Sequence, residues 1–542
     1  MKTYGIFLAY SPTVTLQGEG LGRYLAAFVK GVMNRDDLKL VIATPSWLRK
    51  PLGELFREHG IPDAAIEYVG PETQPLLLTL YQWATKVRRV AQRRRLRWAE
   101  GIVWAIRTHA RWLGYRIVGS RNPVFFALTV LYVAVLLLLA LPFILVGVAA
   151  HLALRLPRAT RSLIHRRIIL QLRRLTEPVR RRLPKGMGLQ RFVFTRMLER
   201  EVEVMVEKAN KASSVTAWYS PTALWPSFNR LRSPKLACFP DLVLAEFPVA
   251  FGKEGPAATL RMDEIRETVE KGQYFVTYSE HIKRSVVMKA LGVPSINVDV
   301  VRHAPSSLDS RIGVKGFDDN EGATRSLCRA LVRESLSKAT GPSRGLRFDD
   351  VRFEFLFYAS QFRPSKNVFT LIRAYEFLLR KRYIGHKLIL TVNGDIPEVA
   401  QFIHAHKLER DVLCLHGVSE AQLAALYKLA DLAVNPSLSE GGMPFTFTEA
   451  LSVGTPVVMG DIEVTNEIIT DPELRRVSLF DPYDWRSVAD RIEWALANKK
   501  ALYALQREFY DNVLSTRTWD DVVSEHIAIL DRIAKHQQAA RT

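Results

Sequence analysis

Glycines and carboxylates converge on one predicted turn in the C-terminal half of the chain. Gly441 and Gly442 follow an apolar run, Asp431–Val434, that predicts a buried strand, and they precede a predicted helix. Glycines at a strand-to-helix turn let backbone amides approach an anion, and the helix N-terminus adds partial positive charge. Carboxylates on either side, Glu440 and Glu449, suit a polyhydroxylated ligand. Together these features indicate a sugar nucleotide.

The stretch around this turn, residues 435–458, resembles the C-terminal signature of GT-B glycosyltransferases of the group 1 family (glycosyltransferase family 4). The shared features are Pro-Ser, Glu-Gly, a proline, Glu-Ala and Gly-Thr-Pro-Val. The resemblance implies two Rossmann-like domains and a retaining transfer from a nucleotide sugar that the second domain holds. Eight residues separate Glu440 from Glu449, one more than is usual in the family. Either the loop carries an extra residue, or Glu440 is not the positional match.

The same resemblance implies roles for residues in the second domain. Arg363 and Lys366 resemble the family's diphosphate-binding pair, at a turn between a predicted strand and a helix. Two cations aimed at a departing diphosphate would stabilise its charge. Glu440 and the Gly441–Met443 backbone would fix the sugar, and Glu449 the ribose. The alternatives are an exposed basic turn, a helix cap for Glu440, and an ion pair for Glu449.

Residues 1–70 predict a βαβ unit. The strand Tyr4–Tyr10 is followed by a loop with Gly18, Gly20 and Gly22, a helical pattern, and the strand Leu38–Ala43. Such a loop is placed to contact phosphates, but glycine-rich turns also serve tight packing. The group 1 family usually has a glycine-rich turn here, which favours donor contact by Gly20 and Gly22.

A further carboxylate, Asp241, follows a predicted strand that ends near Cys238. Asp241 resembles the aspartate of the family's His-Asp loop, although Pro240 fills the histidine position. On this resemblance Asp241 would orient an acceptor hydroxyl or assist proton transfer. It would equally serve as a plain turn residue, because Pro-Asp is a common turn pair.

The net charge of +21 is confined to one segment. Residues 86–200 hold 23 arginines and two lysines against three glutamates, whereas the remainder is near neutral. Charge alone would suit RNA, but no RNA-binding motif accompanies it. We therefore expect a basic insertion and no nucleic-acid partner.

An apolar run, Val124–Ala150, has 27 residues without a charge. As a helix it would reach about 40 Å, against about 30 Å for a bilayer core. Arginines on both flanks favour two cytoplasmic ends, and strands from both sides of the insertion are expected in one sheet. We therefore predict a re-entrant hairpin near Pro142 or an in-plane helix. A buried soluble helix is the alternative.

A basic amphipathic pattern follows the apolar run. Apolar residues recur at helical spacing with arginines among them, which suits anionic lipid; they are Leu163, Ile164, Ile168, Leu172 and Leu175. A solvated helix packed on the enzyme is the alternative. The first residues show no secretory pattern, and three scattered cysteines argue against disulfides. We expect the cytoplasmic face of the inner membrane, bound in a monotopic or re-entrant manner.

These observations predict an α/β protein with two Rossmann-like domains and a membrane-associated helical insertion. The ranges are 1–70 with 201–305 for the N-terminal acceptor domain, 71–200 for the insertion, 306–350 for a connection, 351–515 for the nucleotide-sugar domain, and 516–542 for a helix that crosses back. No Asp-x-Asp pair occurs in the sequence, which agrees with a metal-independent reaction. We expect no metal and no cofactor besides the donor.

The predicted function is a retaining glycosyl transfer from a nucleotide sugar to a lipid-linked or polysaccharide-precursor acceptor. One alternative is a non-catalytic membrane-bound scaffold that binds nucleotide sugar or polysaccharide machinery. Another is a transferase for a soluble acceptor that only attaches to membranes.

Overall fold

The computed structural model describes residues 1–83 without 15 and 17–19, and 189–539 without 242, 250–255 and 345–352. Between these ranges it describes residues 108–109, 113, 123–125, 127–136 and 138. The chain forms two compact units, one of Met1–Glu72 with Glu201–Thr542, and one of Thr73–Arg200.

The first sheet of the larger unit has seven parallel strands in the order β3-β2-β1-β4-β5-β6-β7. The strands are β1 (Lys2–Phe7), β2 (Leu38–Ala43), β3 (Glu67–Val69), β4 (Val215–Ser220), β5 (Lys235–Phe239), β6 (Tyr274–Thr277) and β7 (Val298–Val300). β1 pairs with β4, with Gly5 beside Trp218. Strands before and after the insertion therefore share one sheet, as the sequence predicts.

Helices connect these strands in the crossover manner that a parallel sheet requires. Leu25, Phe28, Val29 and Val32 are buried at helical spacing in the first of them. The helices are Gly20–Met33, Ser46–Glu58, Leu189–Lys211, Val243–Glu246, Pro256–Lys271 and the π-helical Ile282–Ala290.

The second sheet has the order β14-β13-β12-β9-β10-β11-β8. Its strands are β8 (Ala339–Thr340), β9 (Phe355–Tyr358), β10 (Lys387–Leu390), β11 (Val412–Leu415), β12 (Leu432–Asn435), β13 (Val457–Gly460) and β14 (Leu479–Phe480). The helices are Asn320–Ser337, Val368–Lys381, Pro397–Ala405, Glu420–Leu429, Phe445–Ser452, Glu463–Ile468, Pro472–Ser478, Trp485–Ala497, Lys499–Phe509, the π-helical Tyr510–Leu514 and Trp519–Ala539. Apolar clusters fill both faces of this sheet.

The segment predicted as a connection, residues 306–350, differs in the structure. The helix Asn320–Ser337 buries Cys328 and Val332 in the second domain's core. β8 then adds an antiparallel edge strand beside β11. A helix with an apolar stripe must bury it against another element, and this one does so within the second domain.

The last helix, Trp519–Ala539, lies on the first domain. Its buried His526 packs edge-on against the rings of Phe28 and Tyr219, with ring centres 5.2 and 5.0 Å away. Lys2 also pairs with Asp531, with Nζ and Oδ2 2.6 Å apart. The helix thus returns from the second domain to the first.

The predicted membrane segments fall largely outside the described residues. Of the run 124–150, the structure describes only 124–125, 127–136 and 138, and the amphipathic pattern at 163–175 lies wholly outside. Among the described residues, no helix has the length and apolar character needed to cross a membrane. The hairpin or in-plane helix remains a prediction.

Gly5 allows β1 to lie against Trp218. A Cβ atom at position 5 would stand 2.1 Å from Cε3 of that buried ring. We expect Gly5→Ala to lower the free energy of unfolding by about 2–3 kcal/mol, because the ring cannot yield without disturbing the core. Urea unfolding followed by circular dichroism measures this loss.

Gly53→Ala is the matched control. Position 53 is inside the helix Ser46–Glu58, and a Cβ there would have no atom nearer than 3.7 Å. Alanine should stabilise this helix by about 0.5–1 kcal/mol. Equal effects of the two substitutions would contradict the packing argument.

Candidate active site

The basic turn after β9 meets the glycine turn after β12. Lys366 Nζ lies 2.5 Å from Glu440 Oε1. The backbone amide of Leu438 donates to the carbonyl of Ser365 at 2.8 Å, which ties the two loops together. Both follow the carboxyl ends of parallel strands, where α/β proteins bind ligands. The structure thus brings the predicted residues Lys366 and Glu440 into direct contact.

The Lys366–Glu440 pair is partly buried. The side chains are 24% and 18% exposed, respectively. Burial alone would lower the pKa of Lys366, but the Glu440 carboxylate outweighs this and raises it. Lys366 therefore stays charged, and its charge is balanced by Glu440 rather than by solvent.

Gly441 and Gly442 bring the second domain's backbone against the first domain. A Cβ at position 441 would stand 1.5 Å from the Pro240 carbonyl oxygen and 3.3 Å from Cβ of Asp241. A Cβ at position 442 would stand 2.9 Å from Nε2 of His303. Met443, the next residue, is buried in the second domain's core. A side chain at position 441 is therefore incompatible with this contact.

Asp241 lies beside this contact with an exposed side chain. The protein around it raises the pKa of its carboxyl by desolvation, and the positive charges of Arg363 and Lys366 oppose that rise. The negative charge of Glu440 raises the pKa of Asp241 further. The four predicted catalytic residues thus form one electrostatic cluster across the two domains. Arg363 also donates to Oε1 of Gln361 at 3.2 Å.

Glu449 is buried and forms an ion pair with Arg23 of the first domain. Its carboxylate is 1% exposed, pairs with the guanidinium of Arg23, and accepts from the Ser306 hydroxyl at 3.2 Å. Burial raises the pKa of Glu449, and Arg23 opposes the rise. Its second oxygen, Oε2, has no hydrogen-bond partner among the described residues. The ion-pair alternative for Glu449 is therefore present in the structure.

Gly20 and Gly22 lie in the first turn of the helix that carries Arg23. A Cβ at position 22 would stand 2.1 Å from the Leu16 carbonyl oxygen, whereas nothing lies within 4 Å of one at position 20. Gly22 therefore permits tight packing of the turn. Gly18 lies outside the described residues.

A second polar cluster lies at the same cleft, and sequence reasoning did not predict its contacts. His281 Nε2 lies 2.9 Å from Glu246 Oε1, and the Ser439 hydroxyl donates to the other oxygen of Glu246. The hydrogen bond to Glu246 raises the pKa of His281, against the effect of burial. Glu467 accepts from the backbone amide of Glu280 at 3.0 Å. The Ser-Glu-His helix start at 279–281 was the available signal, but its partners are far away in sequence.

The Arg23–Glu449 pair gives a prediction for stability. Replacing Arg23 with methionine leaves the buried carboxylate of Glu449 without its positively charged partner. We therefore expect the free energy of unfolding to fall by about 2–3 kcal/mol at pH 8. The substitution raises the pKa of Glu449 further. Since protonation of the folded state then removes the unpaired charge, the loss should shrink at pH 5. Urea unfolding at the two pH values measures both effects.

Arg266→Met is the control for this prediction. Arg266 pairs with Asp263 at 3.3 Å on an exposed helix surface, and such pairs contribute little. We expect Arg266→Met to lower the free energy of unfolding by less than about 0.5 kcal/mol at either pH. Two results would show that Arg23 and Glu449 do not form a buried ion pair. One is a fall in the free energy of unfolding for Arg23→Met that is no larger than the control's, and the other is an equal fall at both pH values.

Comparisons with known proteins agree with this geometry. Residues 348–512 match the family model described as glycosyl transferases group 1. The serotype-specific mannosyltransferase WbdA of Escherichia coli is 28% identical over 151 residues, covering 27% of this chain and 18% of WbdA. The O-antigen chain mannosyltransferase RfbU of Salmonella typhimurium is 39% identical over 88 residues, covering 16% of this chain and 24% of RfbU.

A third relative is the lipopolysaccharide 1,2-N-acetylglucosaminetransferase of Salmonella typhimurium. It is 25% identical over 177 residues, which cover 31% of this chain and 45% of the relative. The chain thus spans less than half the length of each of these curated relatives.

Solved structures share the fold at low identity. HepE of Anabaena, in complex with UDP and glucose, aligns with a TM-score of 0.51 at 13% identity, over 97% of this chain and 99% of HepE. The N-terminal domain of Candida albicans trehalose-6-phosphate phosphatase aligns with a TM-score of 0.52 at 13% identity, over 98% of this chain and 97% of that domain. The prediction of two α/β domains with parallel sheets is confirmed. The family recognised from residues 435–458 is confirmed as well, and the second domain of this chain is a group 1 glycosyltransferase domain.

Proposed function

We propose that the protein is a glycosyltransferase, of the hexosyltransferase kind, that moves a sugar from a nucleotide-sugar donor to a lipid-linked or polysaccharide-precursor acceptor. The observation that carries this proposal is the cluster at the domain cleft. Lys366 and Glu440 of the second domain are in contact, and the adjoining Gly441 lies against Asp241 of the first. Each of these residues follows a strand, at the edge where α/β sheets bind ligands.

In the proposed reaction, Arg363 and Lys366 bind the donor's diphosphate. Lys366 is held charged by Glu440, so an incoming diphosphate competes with that carboxylate for the ammonium group. Once Lys366 pairs with the diphosphate, the Glu440 carboxylate is released. Glu440 and the backbone amides of the Gly441–Met443 turn can then bind sugar hydroxyls. The two cations then stabilise the charge that develops as the sugar leaves.

We further propose that the substitution retains configuration and needs no metal ion. The departing phosphate would assist the acceptor hydroxyl on the same face of the sugar. Asp241, which lies beside Gly441 and near the charges of Arg363 and Lys366, would serve as the acceptor-side proton partner. Oε2 of Glu449, which has no hydrogen-bond partner among the described residues, would accept from a ribose hydroxyl. The lack of an Asp-x-Asp pair in the sequence supports metal independence.

The names of the relatives support a surface polysaccharide as the product. WbdA and RfbU are named mannosyltransferases, RfbU one of the O-antigen chain, and a third relative is named a lipopolysaccharide N-acetylglucosaminetransferase. A mannosyl or related hexosyl donor is therefore our first choice for this chain.

We place the reaction at the cytoplasmic face of the inner membrane. The basic residues of 86–200 are proposed to bind anionic lipid, and the apolar run 124–150 to enter one leaflet. A membrane-bound acceptor would then reach the cleft without leaving the bilayer surface.

One observation favours the alternative of a non-catalytic scaffold. Two residues with predicted donor roles, Lys366 and Glu449, already hold partners from the chain itself. A scaffold would bind nucleotide sugar or polysaccharide machinery without releasing nucleoside diphosphate. Turnover separates the two functions.

The first test is donor turnover by the full-length protein with membrane extract as the acceptor source. A panel of nucleotide sugars should include at least one that gives nucleoside diphosphate release. Arg363→Ala and Lys366→Ala should each lower that rate by about 100-fold, because each removes a cation that stabilises the leaving group.

Lys381→Ala is the control for that test. Lys381 is an exposed cation at the end of the helix Val368–Lys381, after the same turn, and its loss should leave the rate unchanged. Near-normal rates for Arg363→Ala and Lys366→Ala would remove the diphosphate assignment. No release with any donor would favour the scaffold.

The second test is lipid binding. Full-length protein should co-sediment with phosphatidylcholine vesicles that contain phosphatidylglycerol, and less with phosphatidylcholine alone. Replacing five arginines with glutamine should weaken the binding to anionic vesicles by about 10-fold or more; they are Arg161, Arg166, Arg167, Arg173 and Arg174. Equal binding of the substituted protein would contradict an anionic-lipid contact through this segment.

A further inference from the structure

Three metal-ligating side chains meet at the edge of the second sheet opposite the candidate active site. Glu354 directly precedes β9, His386 directly precedes β10, and Asp431 directly precedes β12. Because these strands are parallel and adjacent, their first residues lie at one edge of the sheet. The residues of the candidate active site follow the other ends of the same strands.

The distances between these side chains suit a shared cation. His386 Nε2 is 3.7 Å from Glu354 Oε2 and 3.7 Å from Asp431 Oδ2, and all three ligand atoms lie within 4.8 Å of one another. A separation of 3.7 Å is too long for a hydrogen bond. Zn²⁺ binds nitrogen and oxygen at about 2.0–2.2 Å in tetrahedral geometry, which places neighbouring ligand atoms about 3.3–3.6 Å apart.

The imidazole ring of His386 is largely buried and has no hydrogen-bond partner among the described residues. Its side chain is 13% exposed, and neither ring nitrogen forms a hydrogen bond with any described residue. A neutral imidazole presents a lone pair, as each carboxylate does. Three electron-pair donors thus face one another at distances too long for a bridging proton.

The surroundings of Asp431 orient its oxygens. Lys499 Nζ lies 2.6 Å from Oδ1, the oxygen turned away from His386. The backbone amide of Phe355 donates to Oδ2 at 3.3 Å. Lys499 therefore fixes the carboxylate and also places a positive charge near the cluster.

We propose that Glu354, His386 and Asp431 form a binding site for a divalent cation of the Zn²⁺ class, which ties together the starts of three strands. One imidazole with two carboxylates suits a borderline metal better than Mg²⁺ or Ca²⁺, which prefer sets of oxygen ligands. The site lies away from the cleft, so the cation has a structural role and leaves the proposed transfer reaction unaffected. A cation that binds the folded state alone stabilises it.

The test uses Zn²⁺ alone as the probe on full-length protein stripped with a chelator. We expect one equivalent of Zn²⁺ to bind, by equilibrium dialysis with elemental analysis. The unfolding midpoint should rise by about 3 °C or more at saturation. His386→Gln should abolish both effects. Glu354→Gln changes a ligand that is 64% exposed, so it tests the site in a chain whose core is intact, and it should weaken binding by about 10-fold or more.

His404→Gln is the matched control. The side chain of His404 is exposed, and its Nδ1 lies 2.7 Å from Oε1 of Glu409. The His404→Gln variant therefore reports how much Zn²⁺ binds to ordinary surface groups. This variant should bind Zn²⁺ as the wild type does. Absence of stoichiometric binding in the wild type, or unchanged binding in both His386→Gln and Glu354→Gln, would overturn the proposal.

Discussion

The backbone contact at Gly441 is the constraint on which the candidate site depends. A side chain at this position would overlap the Pro240 carbonyl oxygen, since its Cβ would come within 1.5 Å. Only a glycine lets the loop after β12 lie against the loop after β5. Neighbouring contacts depend on the same approach, including the hydrogen bond from Ser439 to Glu246. The glycine pair first recognised for its suitability to an anion thus also sets the distance between the domains.

Charge pairing is the second feature that organises the cleft. Lys366 is balanced by Glu440 within the second domain, and Glu449 by Arg23 across the cleft. A carboxylate that is 1% exposed needs such a partner, because an unpaired buried charge is costly. In the proposed reaction the donor's diphosphate displaces Glu440 from Lys366, whereas Glu449 keeps Arg23 and uses its second oxygen.

The sequence predicted the two sheets well, because their strands are short apolar runs between helical patterns. It also singled out Lys366 and Glu440, each in a turn after a strand, and the structure brings the two into contact. The sequence did not predict the contacts that Glu246, His281 and Glu467 make with distant parts of the chain. Their partners are 35 to 193 positions away, and local patterns carry no information about such pairs. The helix Asn320–Ser337 lies in the segment predicted as a connection, and its place in the second core depends on the same kind of distant packing.

Binding of nucleoside diphosphates to the full-length protein tests the central claim most directly. The dissociation constants of UDP, GDP and ADP would be measured by calorimetry for the wild type and for the Arg363→Ala, Lys366→Ala double substitution. The account predicts that at least one nucleotide binds the wild type and that the double substitution weakens it by about 100-fold or more. Equal affinity of the two proteins, or no binding of any nucleotide, would contradict it.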